Sequence, residues 1–140
     1  MLVAQRTHEF CYGHRVAGHE NKCANLHGHN AQVCFSVYAA NGLDKVGRVL
    51  DFSVIKSTLC QWLEDNWDHK FLMWEEDPML PHMPLDNSGM VIVPFNPTAE
   101  NMASYLLHVV GPAVLPEGVG LGMVKFWETG KCSVVCSRRF

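Results

Sequence analysis

The alternation in residues 31–40, AQVCFSVYAA, is the feature that most constrains the fold. Val33, Phe35 and Val37 occupy every second position and point one way. The residues that point the other way are Gln32, Cys34, Ser36 and Tyr38. Because successive side chains of a β-strand project from opposite faces, this pattern predicts a strand with one buried face. Such a strand has to belong to a sheet whose apolar face is covered by other elements.

Further strands are predicted on both sides of this segment. The first dozen residues have strand character and end near Arg15. The Asn41-Gly42 pair predicts a tight turn into a return strand at VGRVLDF. Later strands are predicted at MVIVPF, LGMVKFWE and CSVVCS, the last two forming a hairpin around Gly130.

Two segments have helical spacing instead. The first begins at Asp51 or Ser53, either of which can cap its N-terminus. Its apolar positions are Phe52, Ile55, Leu59, Trp62 and Leu63. In the second, NPTAENMASYLLHVVG, Thr98 is the predicted N-cap and Glu100 suits the positive N-terminal end. Gly111-Pro112 is expected to end this helix.

The order of these elements predicts an α+β domain spanning residues 1–140, with the order ββααββ. We expect a four-stranded antiparallel sheet with two helices on one face. Residues 74–89, which contain acidic residues, prolines and Gly89, are expected to form a loop. A sheet of this kind has two open edges, and open edges favour association between copies of the chain.

Composition excludes several classes of protein. The chain is 48% hydrophobic and 18% charged, which is typical of a globular domain. A net charge of −3 gives no reason to expect nucleic acid or a membrane surface as a partner. Arg6, His8 and Glu9 come too early for a signal-peptide core, so we expect a cytoplasmic protein. Its six cysteines form no C-x-x-C pair, and we expect them to be reduced.

The histidines of KCANLHGHN raise the question of a metal site. His27 and His29 lie two residues apart, so in a strand both imidazoles face the same way. His14 ends a preceding strand that would pair antiparallel with this one, so three imidazoles can converge. Three ligands with an open fourth position are typical of catalytic zinc. An isolated H-x-H pair is weak evidence, and His19 is an alternative ligand.

Cys23 has two interpretations. As a fourth ligand it would close the metal site and make it structural. As a free thiol next to Lys22 and a metal ion it would be reactive, because nearby positive charge favours the thiolate. Asp68-His69 in WDHKF could then supply a carboxylate–imidazole relay, although such pairs are more often solvated loop residues.

Two acidic residues complete the candidate set. Glu128 ends an apolar strand at KFWETG, where it is either an exposed turn residue or an anchor for a nitrogen heterocycle. Glu100 lies in the first turn of the second helix, and its charge there is fully explained by the helix terminus.

Taken together and in order, these segments resemble the 6-pyruvoyltetrahydropterin synthase family. The matching segments are FCYGHRV, KCANLHGHN, VLDFSVIK, DHKFL, NPTAEN and WET, from about Phe10 to Thr129. The placement of Cys23 three residues before His-Gly-His is most similar to the bacterial 6-carboxytetrahydropterin synthase branch of the family. The chain departs from the family at Tyr12-Gly13, where two alanines often precede the first ligand, and at Ala99, where some members have a hydroxyl residue.

The resemblance implies a role for each candidate residue. The implied zinc ligands are His14, His27 and His29. Cys23 matches the catalytic base, with Asp68 and His69 as its partners. The implied pterin-binding residues are Glu128, Thr98 and Glu100. It also implies the tunnelling fold, in which three subunits join their sheets into a barrel and two trimers stack into a hexamer.

The implied reaction is the conversion of 7,8-dihydroneopterin triphosphate to 6-carboxy-5,6,7,8-tetrahydropterin, with loss of triphosphate and acetaldehyde, in queuosine biosynthesis. Two alternatives stay open at the level of sequence. One is the pyruvoyl-forming synthase, which uses the same zinc, cysteine and relay. The other is a non-catalytic zinc-binding module in which Cys23 is a fourth ligand.

Overall fold

A computed structural model of the protein describes residues 1–84, 86 and 89–139. The alternating segment forms strand β2, His27–Ala39, as predicted. It pairs antiparallel with β1, Ala4–His14, in continuous register from Ala4 opposite Val37 to His14 opposite His27. Val33, Phe35 and Val37 are fully buried, which confirms the predicted core face of the strand.

Among the described residues the sheet has six strands, in the order β4-β3-β1-β2-β5-β6. The added strands are β3, Lys70–Trp74; β4, Met90–Val93; β5, Val119–Trp127; and β6, Ser133–Ser137. Strand β3 is parallel to both β1 and β4. The prediction of a four-stranded antiparallel sheet was therefore wrong, and the element order is ββαββαββ. The short β3 was missed because its five residues show no alternation that marks a strand.

The predicted hairpin at Asn41-Gly42 was also wrong, because VGRVLDF does not form a return strand. The carboxylate of Asp44 accepts hydrogen bonds from the backbone amides of Val46 and Arg48 and from the Arg48 side chain. These hydrogen bonds satisfy the amides of Val46 and Arg48, which would otherwise be available to pair with a neighbouring strand. Strand β2 pairs with β5 instead, and β5 forms the predicted hairpin with β6.

Two helices cover one face of the sheet. The first occupies 52–66, with a π-helical segment at Lys56–Cys60 between Phe52–Ile55 and Gln61–Asn66. The second occupies 99–114, with a π-helical segment at Leu106–Val110 between Ala99–Tyr105 and Gly111–Val114. Their fully buried side chains, which form the core with the inner face of the sheet, include Ile55, Leu59, Leu63, Met102, Leu106 and Leu107.

The predicted helix starts are confirmed, and one predicted end was wrong. Asp51 accepts a hydrogen bond from the Ser53 amide at 2.8 Å, and Thr98 accepts one from the Asn101 amide at 3.1 Å. The second helix continues through Gly111-Pro112 to Val114. Pro112 follows the π-helical segment directly, as the second residue of Gly111–Val114.

The loop between β3 and β4 is anchored rather than purely exposed. Asp77 is buried and pairs with Arg15, whose Nε lies 2.8 Å from a carboxylate oxygen. A short 3₁₀ turn follows at Leu80–His82. Residues 85, 87 and 88 of the predicted loop lie outside the described residues. In the part of the chain that the structure describes, no helix is long and apolar enough to cross a membrane.

Candidate active site

Three histidines converge at one end of the β1–β2 ladder. The register places His14 directly opposite His27, and His29 follows on the same face of β2. One ring nitrogen from each of the three lies within 4.8 Å of the others, and the Nε2 atoms of His14 and His29 are 3.1 Å apart. The predicted imidazole cluster therefore forms within a single chain.

Backbone carbonyls orient two of these rings. His14 Nδ1 donates to the carbonyl of Pro97 at 2.6 Å, and His27 Nδ1 donates to the carbonyl of Asn25 at 2.7 Å. A proton on Nδ1 leaves Nε2 as the free nitrogen, which is the arrangement that holds metal-binding histidines. Sequence analysis assigned NPTAEN to helix capping and pterin binding and missed the role of Pro97.

The environment favours the neutral forms of His14 and His29. Burial lowers the pKa of His14 to about 4, and the neighbouring rings of His27 and His29 lower it too, while the Pro97 hydrogen bond opposes them. Burial also lowers the pKa of His29, against the raising effect of Glu128. Because only the neutral imidazole is a metal ligand, this donor set fits zinc. His19 lies outside the cluster, and its Nδ1 accepts a hydrogen bond from the Asn21 amide.

Glu128 lies directly beside the cluster. One of its carboxylate oxygens is 3.4 Å from Nε2 of both His14 and His29. The buried Tyr12 donates its hydroxyl proton to the same oxygen at 3.3 Å. Burial, followed by the charge and hydrogen bond of Glu128, raises the pKa of Tyr12, so the phenol stays protonated. Sequence analysis did not assign Tyr12 a role, although its position two residues before His14 places it on the same face.

Cys23 lies near this face but outside the histidine cluster. It is part of a 3₁₀ turn, Lys22–Ala24, and its carbonyl accepts a hydrogen bond from the Val16 amide at 2.7 Å. Cys23 makes a minor contribution to the raised pKa of Tyr12. All six cysteines are free thiols.

Asp68 and His69 lie next to a different cysteine. His69 Nδ1 is 2.9 Å from Asp68 Oδ2, and Cys11 Sγ is 3.4 Å from His69 Nε2. Burial raises the pKa of Asp68, but hydrogen bonds from the Cys11 amide and His69 outweigh it, so the pKa is lowered overall. Within the described residues, neither Asp68 nor His69 hydrogen bonds Cys23.

Thr98 and Glu100 lie at the start of the second helix. The Thr98 hydroxyl accepts the Asn101 amide hydrogen, and Glu100 is exposed in the first helical turn. The same segment is fixed to the loop after β1 by Asn96, whose side chain accepts a hydrogen bond from the Ala17 amide at 3.1 Å and donates one to the Ala17 carbonyl at 2.9 Å. In this structure the segment caps a helix and orients His14, and its role in ring binding stays a prediction.

Comparisons with known proteins agree with this geometry. The sequence profile of the family described as 6-pyruvoyl tetrahydropterin synthase matches residues 4–139. A 6-carboxy-5,6,7,8-tetrahydropterin synthase from Rickettsia felis is 35% identical over 137 residues, covering 96% of this chain and 99% of the relative.

Solved structures have the same fold. An uncharacterized protein from Wolinella succinogenes superposes with a TM-score of 0.80 at 27% identity, covering 99% of this chain and all of the other. A 6-pyruvoyltetrahydropterin synthase from Plasmodium vivax, a catalytic-residue mutant, has a TM-score of 0.70 at 20% identity, with both chains fully covered. These matches confirm the α+β tunnelling fold that the resemblance implied.

The profile covers nearly the whole chain, and the Rickettsia relative is as long as this protein. The sequence motifs, the fold and the comparisons therefore lead to the same assignment. The chain belongs to the 6-pyruvoyl tetrahydropterin synthase family and is a lyase.

Proposed function

We propose that the protein is a zinc-dependent lyase that converts 7,8-dihydroneopterin triphosphate to 6-carboxy-5,6,7,8-tetrahydropterin, triphosphate and acetaldehyde. The observation that supports this most directly is the cluster of three imidazoles beside a carboxylate. The name of the Rickettsia relative supports the carboxy product. Queuosine biosynthesis in the cytoplasm is the pathway proposed with it.

The zinc ion would be held by Nε2 of His14, His27 and His29. Cys23 is not among the residues whose ligand atoms group with these three, which favours an open site over a closed structural one. A zinc ion in this position supplies Lewis acidity, which makes substrate hydroxyl groups more acidic.

Glu128 would anchor the pterin ring. The Glu128 side chain is 26% exposed beside the cluster, and its carboxylate accepts a hydrogen bond from the Tyr12 hydroxyl. A carboxylate can accept two hydrogen bonds from neighbouring N–H groups of an aminopyrimidine. Thr98 and Glu100, at the helix start next to His14, are proposed as the second contact with the ring.

Cys23 would remove a proton from the substrate side chain, and His69, oriented by ionised Asp68, would receive and return protons. In the described residues of one chain Asp68 and His69 contact Cys11 rather than Cys23. We therefore place the relay of one subunit beside Cys23 of another. Mixed oligomers of Cys23→Ala and His69→Ala chains would then recover part of the activity that each variant loses alone.

An oligomer is also supported by the two open edges of the sheet. Strands β4 and β6 are the outermost strands, and Ile92 and Val135 on them are 50% and 56% exposed. Edge strands with exposed apolar side chains favour pairing with another chain. We propose three chains joined edge to edge and two such trimers stacked into a hexamer.

The decisive experiment is mass spectrometry of the products after the zinc-loaded protein is incubated with 7,8-dihydroneopterin triphosphate. We expect 6-carboxytetrahydropterin and an equal amount of acetaldehyde. A 6-pyruvoyl product would move the protein to the pyruvoyl-forming reaction. Unchanged substrate, with one zinc ion per chain verified, would contradict the lyase proposal.

A Cys23→Ala variant separates catalysis from a structural zinc module. We expect retained zinc and a loss of turnover of about 10²–10⁴-fold, the usual contribution of acid–base catalysis. Cys34→Ala is the matched control, because Cys34 is also half-buried but lies on β2, away from the turn that contains Cys23. If zinc is lost together with the Cys23 thiol, the structural interpretation is correct.

A further inference from the structure

Cys11, Asp68 and His69 form a second cluster of metal-ligating groups, separate from the histidine cluster. One ligand atom from each residue lies within 4.8 Å of the others. Along β1 the buried side chains are Phe10, Tyr12 and His14, so the alternation of the strand places Cys11 on the opposite face. We propose that this cluster is a second binding site for a thiophilic divalent cation of the zinc class.

The distances agree with tetrahedral coordination. Zinc lies about 2.3 Å from a cysteine sulfur and about 2.0–2.2 Å from histidine nitrogen or carboxylate oxygen, so two such ligands are separated by about 3.5 Å. Cys11 Sγ is 3.4 Å from His69 Nε2 and 3.7 Å from Asp68 Oδ1. The same sulfur is 3.6 Å from His69 Nδ1, so the exposed imidazole has to rotate to direct one nitrogen at a shared cation, while the backbone stays in place.

Backbone contacts hold the three ligands in place. The Cys11 amide donates to Asp68 Oδ1 at 3.1 Å, and the His69 amide donates to the Cys11 carbonyl at 2.7 Å. His69 has a φ of 59°, a left-handed conformation that is uncommon for a residue other than glycine. This conformation lets the side chains of the consecutive residues Asp68 and His69 both contact the Cys11 thiol.

The chemistry of the donors selects the cation. A thiolate with an imidazole and a carboxylate suits zinc, whereas magnesium and calcium prefer oxygen ligands alone. His69 Nδ1 lies 2.9 Å from Asp68 Oδ2, and a cation shared by the two side chains would take the place of this contact. The His69 side chain is 78% exposed, so a cation from solvent can reach the site.

Occupancy of this site would have a consequence for turnover, which rests on the function proposed above. A cation bound by Asp68 and His69 would occupy the two groups that form the proposed proton relay, so neither could transfer or orient a proton. The first equivalent of zinc, at the histidine cluster, would support activity, and the second would inhibit it. The chain would thus respond to excess zinc.

The test is a titration of the metal-free, full-length protein with Co²⁺ alone, followed by absorption spectroscopy. We expect two equivalents to bind per chain, and one of them to produce the thiolate-to-cobalt charge-transfer band that a site of three histidines cannot give. Cys11→Ser should lose this band and one equivalent. His69→Ala, a change at an exposed side chain, should do the same and covers the case in which Cys11→Ser fails to fold.

Matched variants assign the band. Cys23→Ala should keep it, and His14→Ala should keep it while losing the other equivalent. Binding of a single equivalent without a charge-transfer band would overturn the proposal. So would a band that is lost in Cys23→Ala and kept in Cys11→Ser, because Cys23 would then be the ligand.

Activity gives a separate readout. Turnover of the unmodified chain should fall as zinc exceeds one equivalent, and turnover of Cys11→Ser should not. Inhibition that is equal in both proteins would refute the regulatory part of the proposal. If neither protein has any turnover, the proposed function fails, and the cobalt spectrum still decides whether the second site exists.

Discussion

The two clusters of metal-ligating groups differ in how the fold assembles them. The histidine cluster depends on β1 and β2, which are consecutive strands in direct antiparallel register. The Cys11 cluster depends on β3, which arrives after the first helix and pairs parallel to β1 over only three residue pairs. A site built on one long ladder is fixed by a single register, whereas the second site also requires β3 to be placed correctly.

The clusters also differ in their exposure to solvent. His14 is fully buried, while the side chain of His69 is 78% exposed. Burial lowers the pKa of His14 and His29, and backbone carbonyls orient the rings of His14 and His27. Exposure leaves the second one accessible to solution, so it should exchange ligands more readily. The following predictions test this contrast, from the largest expected effect to the smallest.

Replacing His14 with Ala should remove metal from the first cluster and leave the second intact. Removing a hydrogen-bond partner of a metal ligand typically lowers metal affinity about 10–100-fold. Removing the ligand itself should therefore lower the affinity more than about 100-fold. Metal content by elemental analysis, at one added equivalent of zinc, measures the effect. His19→Ala is the matched control, and an equal loss in both variants would contradict the assignment.

Acid should destabilise the metal-free protein through His14. Its pKa is lowered from 6.5 to about 4, so between these values the unfolded chain binds the proton that the folded chain excludes. The free energy of unfolding should therefore fall by about 3 kcal/mol as the pH decreases through this window, and stay level below it.

Urea titrations across this pH range provide the measurement. In His14→Gln this part of the dependence should disappear, because the titrating group is gone. Parallel curves for the two proteins would show that burial does not depress the proton affinity of His14.

Gly13→Ala should disturb β3 and the Cys11 cluster. A Cβ at Gly13 would lie 2.6 Å from Cδ2 of Phe71, so the Phe71 ring in β3 has to move. We expect a loss of about 1–3 kcal/mol in the free energy of unfolding, together with weaker cobalt binding at Cys11. Gly130→Ala is the control, since nothing lies within 4 Å of its added Cβ. A change confined to the histidine cluster would be evidence against this placement of β3.

Thr98→Ala should have the smallest effect. It removes the N-cap of the second helix, and such a loss typically costs about 1 kcal/mol. Thermal unfolding measures it, with the exposed Ser57→Ala on the first helix as a control expected within about 0.5 kcal/mol. Cobalt binding at the Cys11 cluster should be unchanged, because its ligands lie on β1 and just before β3, whereas Thr98 begins the second helix.

The sequence was informative where structure is local. Alternation predicted the buried face of β2, and the spacing of His27 and His29 predicted that both rings share a face, because both depend on one strand period. His14 joined the predicted cluster because consecutive strands pair antiparallel across the loop that joins them. The N-caps Asp51 and Thr98 were predictable because a cap bonds an amide two or three residues away.

Other features depend on contacts between distant segments and could not be predicted. Strand β3 has five residues without alternation, and its parallel pairing with β1 sets the contact between Cys11 and residues 68–69. The hairpin predicted at Asn41-Gly42 does not form, because the Asp44 side chain accepts hydrogen bonds from the backbone amides that the return strand would have used. The bond from His14 to Pro97 spans 83 residues and has no sequence signature.

That bond between His14 and the Pro97 carbonyl connects metal binding to the start of the second helix. Linkage is reciprocal, so an ion that holds His14 in place also favours the folded helix start by the same free energy. Amide hydrogen exchange at Asn101, in the first helical turn, should therefore slow when metal binds on the opposite side of the ring. The first turn of the second helix would act as an internal reporter of metal occupancy.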